Sequence, residues 1–199
     1  SPPRVAQRST HLRVTQPPAG GIARLRVYGE AVPDPGWLRT LDTFDVVALE
    51  NGGRAEDASN LFYSPATNTI QPGRSRKMDD GWETRRRRDQ GNDWIRYRLA
   101  AQSQIRAIEI DTAYLKGNSA GWASVSVKDG DSGEWTEILP RTRLQPDTNH
   151  RFVLPAPAIG THARVDIFPD GGISRPRLLG SLTEQDAPAL APPHQEPGP

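Results

Sequence analysis

A chain of 199 residues can bury one sizeable core and still carry extra segments. Only 35% of it is hydrophobic, and Gly (18) and Pro (19) are plentiful, so short strands and turns are expected rather than long helices. The lack of cysteine excludes disulfide frameworks, Cys-ligated zinc and thiol catalysis and makes a reducing compartment the default; no apolar run approaches the roughly 20 residues of a membrane span.

The opening SPPRVAQRST shows no signal-peptide pattern and no initial Met, and reads as the start of a processed or truncated product. A self-match follows. THLRVTQPPAGGIARLRVYG at 10–29 repeats as THARVDIFPDGGISRPRLLG at 161–180, at a constant offset of 151. His, Arg, Val, Pro, Gly-Gly, Ile and a pair of arginines recur in step. Alternation of Val165 and Ile167 with Arg164 and Asp166 predicts a half-buried strand, and PDGG predicts a turn. ISRPRLL would return as a second strand, limited by Pro176 to an edge or bulge. The expected organisation is then a terminal hairpin of a truncated first repeat plus linker (1–35), a complete second repeat (36–181) and a disordered Pro-rich tail (182–199).

Within the second repeat, strands are expected at DVVAL (45–49), DWIRYRL (93–99), IRAIEIDTA (105–113), WASVSVKD (122–129), EWTEIL (134–139) and HRFVL (150–154). Turn clusters separate them, and no helix exceeds two turns. Regular short strands of this kind predict an all-β fold, a jelly-roll β-sandwich.

Arg greatly outnumbers Lys, whose only positions are 77, 116 and 128. This reflects either anion recognition or a codon bias. The densest stretch, MDDGWETRRRRDQGNDW (78–94), admits three readings: a nucleic-acid contact, a solvated or internally paired strand edge, or a pocket for a small anion. Asp79, Asp80, Glu83 and Asp89 neutralise the run, and the net charge of +1 argues against nucleic acid. In an extended segment Glu83, Arg85 and Arg87 would share one face, and Trp82, Thr84, Arg86 and Arg88 the other. A carboxylate beside guanidiniums suits a ligand that carries a carboxylate and urea-like N–H groups. A second polar cluster, EIDTAYLKGNSAGW, offers Asp111, Lys116 and Asn118, either as an acid–base pair with an anion partner or as turn-capping groups. His150, His162 and His194 lack metal-binding spacing, and neither a metal nor a cofactor is read.

PGRSRKMDDGWETRRRR, GNDWIRYRL, IEIDTAYLKGN and FPDGGISRPRLLG together resemble the allantoicase (allantoate amidinohydrolase) family, over most of residues 45–181. Asp79, Tyr114-Leu115 and Pro176 depart from that family's pattern. The resemblance implies two galactose-binding-like jelly-roll repeats and hydrolysis of allantoate to ureidoglycolate and urea in purine degradation. It also implies a cytoplasmic homo-oligomer with allantoate as its small-molecule partner, and no nucleic-acid or membrane partner. Asp80, Glu83 and Asp111 become the candidate acid–base residues, Glu83 first among them. Arg74 and Arg85, Arg86, Arg87 and Arg88 become candidates for the carboxylate, and Lys116 and Asn118 for the ureido oxygens. The alternative is a noncatalytic small-ligand-binding module or an inactive fragment.

Overall fold

The computed structural model describes residues 9, 11–29 and 31–184. The chain divides into two units, residues 1–30 and 31–199. In the first, the described residues form no helix or strand, and Leu12, Val14, Ile22, Leu25, Val27 and Tyr28 are exposed. The strands read into residues 10–29 are therefore absent. The tail expected to be disordered lies outside the described residues beyond Glu184.

The second unit opens with one short helix, α1 (Pro35–Leu41), capped by Asp34, whose Oδ1 accepts from Gly36 N at 2.8 Å. Nine strands follow: β1 (Phe44–Asp45), β2 (Arg54–Ala58), β3 (Trp82–Glu83), β4 (Asp93–Asp111), β5 (Trp122–Lys128), β6 (Thr136–Arg143), β7 (Asn149–Phe168), β8 (Gly172–Ile173) and β9 (Arg175–Leu182). Seven of them form one sheet in the order β1-β9-β4-β7-β5-β6, with β2 also on β4. Two expected strands merge into β4, and HRFVL runs on into THARVDIF as β7. DVVAL forms only β1 and a buried turn, because Val46, Val47 and Ala48 fill the core without a ladder partner on both sides.

β4 serves both layers. Its first half, Asp93–Arg98, pairs with β2 and with Ile167–His162 of β7. Its second half, Ser103–Asp111, pairs with β9 and with Gly160–Asn149 of β7. The register breaks between Arg98 and Ser103, where the sheet folds over itself. Ile95, Tyr97 and Leu99 from one half and Ile105, Ile108 and Ile110 from the other meet in a single core. This is the expected all-β sandwich.

The expected hairpin at 161–180 is corrected. β7 and β9 do not pair with each other; both flank β4. The PDGG segment is a connector that leaves one layer at Phe168 and enters the other at Arg175, too long for a tight hairpin loop. Pro176 sits opposite Ile110, before the outer ladder of β9 begins with Leu179 opposite Asp45, so the edge position expected for it holds.

Residues 80–87 run antiparallel along this connector. Arg175 Nη1 donates to Asp80 O (2.7 Å), Trp82 and Glu83 pair with Ile173 and Gly172, Thr84 N donates to Gly171 O (3.0 Å), and Arg87 N donates to Asp170 Oδ2 (2.7 Å). Gly171 has φ +116°, and a Cβ there would lie 2.8 Å from Ala120 N, so both conformation and space require glycine. Trp82 anchors the ladder: its side chain is fully buried and its Nε1 donates to Asn60 O at 2.8 Å. Replacing it with Ala should lower the unfolding free energy by about 3–5 kcal/mol, measured by urea denaturation; a loss below about 1 kcal/mol would show the rim does not depend on it.

Candidate functional site

Two pockets open on the rim crossed by this ladder, and they share no lining residue. The first, about 340 Å³, is lined by Arg74, Glu109, Asp111, Asn149, Arg151, Arg175, Arg177 and their neighbours Asp45, Glu50 and Gly73. The strand period explains the set. Ile108 and Ile110 of β4 point into the core, so Glu109 and Asp111 point out, and their register partners Arg177 and Arg175 on β9 share that face.

Arg175 is the unusual member. The residue is only 4% exposed, yet its hydrogen bonds all go to neutral oxygens: Ser75 Oγ (3.0 Å), Asp80 O (2.7 Å) and Ser174 O (2.8 Å). All three come from Nη1, and Nε is buried without a partner. Burial, and then the Arg177 guanidinium, hold its pKa below the ordinary arginine value, while Asp80 and Asp111 pull it back. Arg177, by contrast, is spent on Asp45 Oδ2 (2.9 Å) and on the carbonyls of Gln71 and Gly73. Asp111, also 4% exposed, keeps Oδ1 on Ala113 N (2.8 Å) and turns Oδ2 toward Arg74 Nη2 at 3.4 Å. Arg74 itself is largely exposed.

The second pocket, about 520 Å³, is lined by Ser59, Asn60, Arg85, Arg86, Arg87, Arg88, Asp89 and Asp93. Arg87 is the half-buried one; Arg85, Arg86 and Arg88 are exposed. The face-sharing expected for 82–88 ends at Thr84, since β3 is only two residues long and the chain then leaves the ladder.

The structure therefore splits the expected site. Arg74 and Asp111 meet in the first pocket, and Arg85–Arg88 line the second. Asp80 touches the first only through its carbonyl; its carboxylate accepts from Arg76 N (2.9 Å). Glu83 lies between the two, lining neither, and its carboxylate makes no bond among the described residues. Lys116 is exposed, 4.0 Å from Asp147, and Asn118 supports the connector by accepting from Gly172 N (2.8 Å). Among the described residues no group of three or more His, Asp or Glu side chains is arranged to hold a metal ion.

A family model described as "Allantoicase repeat" matches residues 44–183. The chain belongs to the allantoicase family. It is 83% identical over 194 residues to a probable allantoicase of Streptomyces avermitilis, covering 98% of this chain and 52% of that protein. It is 40% identical over 195 residues to an allantoicase of Dictyostelium discoideum, covering 91% of this chain and 52% of that protein. The chain thus spans about half the length of the curated relatives it matches. The crystal structure of Saccharomyces cerevisiae allantoicase superposes with a TM-score of 0.66 at 31% identity, over 69% of this chain and 43% of that one. The family 32 carbohydrate-binding module of Clostridium perfringens NanJ superposes at 0.54 and 12% identity, over 69% of this chain and 98% of that module, which shows the shared sandwich fold alone.

In this allantoicase-family chain, Arg175, Arg177, Glu109, Asn149, Arg151 and Asp45 were absent from the sequence-derived site. A signal for two of them existed. The self-match preserves an R-x-R pair, Arg24 and Arg26 against Arg175 and Arg177, on one face of a strand.

Burial drives the Asp45 carboxyl up from 3.8 to about 6, against the pull of Arg177 and of the Leu178 and Val47 N–H groups. Because the folded-state value is raised, Asp45 contributes stability that is full below about pH 4 and lost as pH rises through about 6. A shift of that size is worth about 3 kcal/mol at about 1.4 kcal/mol per unit. Asp45→Asn should flatten the dependence of Tm on pH between 4 and 6.5; an unchanged slope would place the titration elsewhere.

Proposed function

We propose that the chain takes part in hydrolysing allantoate to ureidoglycolate and urea, with the chemistry at the Arg175 pocket. The observation that carries the reading is Arg175, a buried guanidinium with no carboxylate bonded to it, beside the buried carboxylate of Asp111. Family membership and the 83% identity to a probable allantoicase support the choice of reaction.

A carboxylate-bearing substrate would complete Arg175 from the pocket side, with Arg74 closing from solvent as the second cation. The susceptible carbon then lies beside Asp111 Oδ2, whose other oxygen is fixed by Ala113 N–H. Asp111 Oδ2 takes the N–H proton of the ureido arm that stays and passes it to the departing urea nitrogen as the C–N bond breaks, which leaves a C=N bond on the carbon. Water then adds to that carbon, and its proton goes by way of Asp111 to the retained nitrogen. The hydroxyl stays on the carbon, and Asp111 ends ionised as it began. Asn149 and Glu109 line the same wall and offer a donor and an acceptor to the ureido arms. A pocket of about 340 Å³ is of the size that small ligands occupy. Cytoplasmic location and self-association belong to the same proposal and are supported by the family resemblance alone.

The test is urea release from allantoate. Asp111→Asn should lower kcat by about 100-fold or more with little change in Tm. Arg175→Lys, which keeps the charge but loses the fork, should raise KM, while Glu83→Gln should leave turnover near normal. Unchanged turnover in Asp111→Asn, or a collapse in Glu83→Gln, overturns the assignment. Allantoate binding without urea release would favour a noncatalytic module.

A further inference from the structure

Leu61, Phe62 and Tyr63 belong neither to the core nor to the lining of either pocket. The three residues are 59, 64 and 63% exposed, and Phe62 meets Tyr63 edge to face at 4.8 Å. Together they leave on the order of 350 Å² of largely apolar surface in water, the size of the largest patch on an ordinary monomer, and patches of that size are often contact sites. Polar ties fix the segment at both ends. Ser59 N donates to Trp94 O (3.0 Å) and Ser59 Oγ to Asp93 Oδ1 (2.7 Å). Asn60 O accepts from Trp82 Nε1 (2.8 Å), and Asn60 Oδ1 accepts from Phe62 N (3.0 Å). At the far end Ser64, 8% exposed, accepts from Glu83 N at 3.1 Å. Aromatic side chains on a loop held in this way lose little freedom when they are covered.

The loop stands between unspent charges of opposite sign. On its Asn60 side, Ser59 and Asn60 line the hollow of Arg85, Arg86, Arg87 and Arg88. Arg87 is a strut, held by Asp89 and Asp93 and through its backbone N–H by Asp170. Its three neighbours are exposed, and none forms a hydrogen bond or an ion pair within 4.0 Å among the described residues. On the Ser64 side stands Glu83, half-buried, with a carboxylate that is also unbonded. Glu83 is only two residues from Arg85 and does not pair with it. Apolar anchors, aromatic rings and arginine are the composition that interface centres collect. A solvated strand edge would not need the exposed rings.

We infer that the loop Asn60–Ser64 is the centre of a two-fold contact between two copies of this chain. Leu61, Phe62 and Tyr63 of each copy cover those of the other, and Glu83 of each lies against Arg86 and Arg88 of the other. A two-fold axis sets a patch against itself, so a patch with unbonded acid on one side and unbonded bases on the other closes with no further partner. The apolar anchors supply somewhat under half of the about 800 Å² per partner that a stable dimer covers, and the charged rim around them adds to it. An anionic lipid surface fits less well, because the unbonded Glu83 and the exposed Asp89 stand on the same rim. The inference does not depend on the reaction assigned to the Arg175 pocket, whose lining includes none of these residues.

Sedimentation velocity on the whole chain tests it. Wild type should show a monomer–dimer equilibrium. Phe62→Ser combined with Tyr63→Ser, both on exposed residues, should leave the far-UV circular dichroism unchanged and raise the dimer dissociation constant at least about tenfold. Glu83→Arg, and separately Arg86→Glu combined with Arg88→Glu, should each weaken self-association by setting like charges together. An equimolar mixture of those two variants should restore a dimer, because the mixed pair sets acid against base at both contacts. A chain that is monomeric at every concentration overturns the inference. So does a dimer that ignores all of these substitutions, which would place the contact elsewhere, for example on the exposed apolar side chains of residues 11–29. A mixture that stays monomeric overturns the two-fold pairing of Glu83 with the arginines. Flotation with phosphatidylserine vesicles in place of self-association, lost when Phe62 and Tyr63 are replaced, assigns the loop to lipid and overturns the dimer.

Discussion

The rim exists because one strand, β4, is hydrogen-bonded in both layers of the sandwich. Its two ends, Asp93 and Asp111, come back to the same side of the molecule once the sheet folds over between Arg98 and Ser103. β7 and β9 must then be joined across that side, and the six residues between Phe168 and Arg175 are the crossing. A crossing strand end has backbone groups that no sheet satisfies. The 80–87 segment satisfies them, and by doing so it delivers Asp80 to Arg175 and Arg87 to Asp170. Both pockets are consequences of closing the sandwich at this edge.

The arginines differ in what their surroundings ask of them. On the outer face of the first layer Arg96 and Arg164 lie over the Trp94 ring at 5.2 and 4.9 Å, and Arg141 lies over Phe168 at 4.5 Å. These are surface stacking partners, worth on the order of 1 kcal/mol each. Arg87 and Arg177 are buttresses, each held by carboxylates and, for Arg177, by backbone carbonyls. Among the described residues, Arg175 alone is buried, charged and held only by neutral oxygens. Taking such a charge out of water is costly, and the carboxylates of Asp80 and Asp111 offset the cost only from a distance. The abundance of arginine is therefore not one phenomenon, and codon bias does not account for where Arg175 sits.

Alternation made much of the sandwich legible: Ile95, Tyr97 and Leu99, and Ile108 and Ile110, keep the two-residue period, whereas Ile105 reaches the same core through the register shift between Ile105 and Ala107. What alternation lacks is a partner. It predicts that residues 164–167 and 173–179 are strands but says nothing of β4 lying between them, so a Gly-Gly turn suggested a hairpin. Which polar residues lie together was hidden for the same reason. Asp111 and Arg74 were visible as isolated polar residues, but Arg175 becomes notable only when β9 is laid beside β4 and the residue is found buried. The run Arg85–Arg88 drew attention by density, and density along the chain does not distinguish the paired Arg87 from its three exposed neighbours.

Residues 11–29 separate local from tertiary information within one molecule. They match 162–180 at 10 of 19 positions, yet Val14, Ile22 and Val27 are exposed where Val165, Ile173 and Leu178 are buried. Among the described residues of that unit there is no strand equivalent to β4 to receive ladder hydrogen bonds, and those residues form no strand. The turn survives. Gly20 adopts φ +144° and its counterpart Gly171 φ +116°, both in the range that side chains resist. Glycine conformation is dictated by the residue itself and its immediate neighbours, whereas strand formation is dictated by what lies alongside. Arg24 and Arg26 keep the spacing of Arg175 and Arg177, but both are exposed, and burial against a neighbouring strand is what sets Arg175 apart.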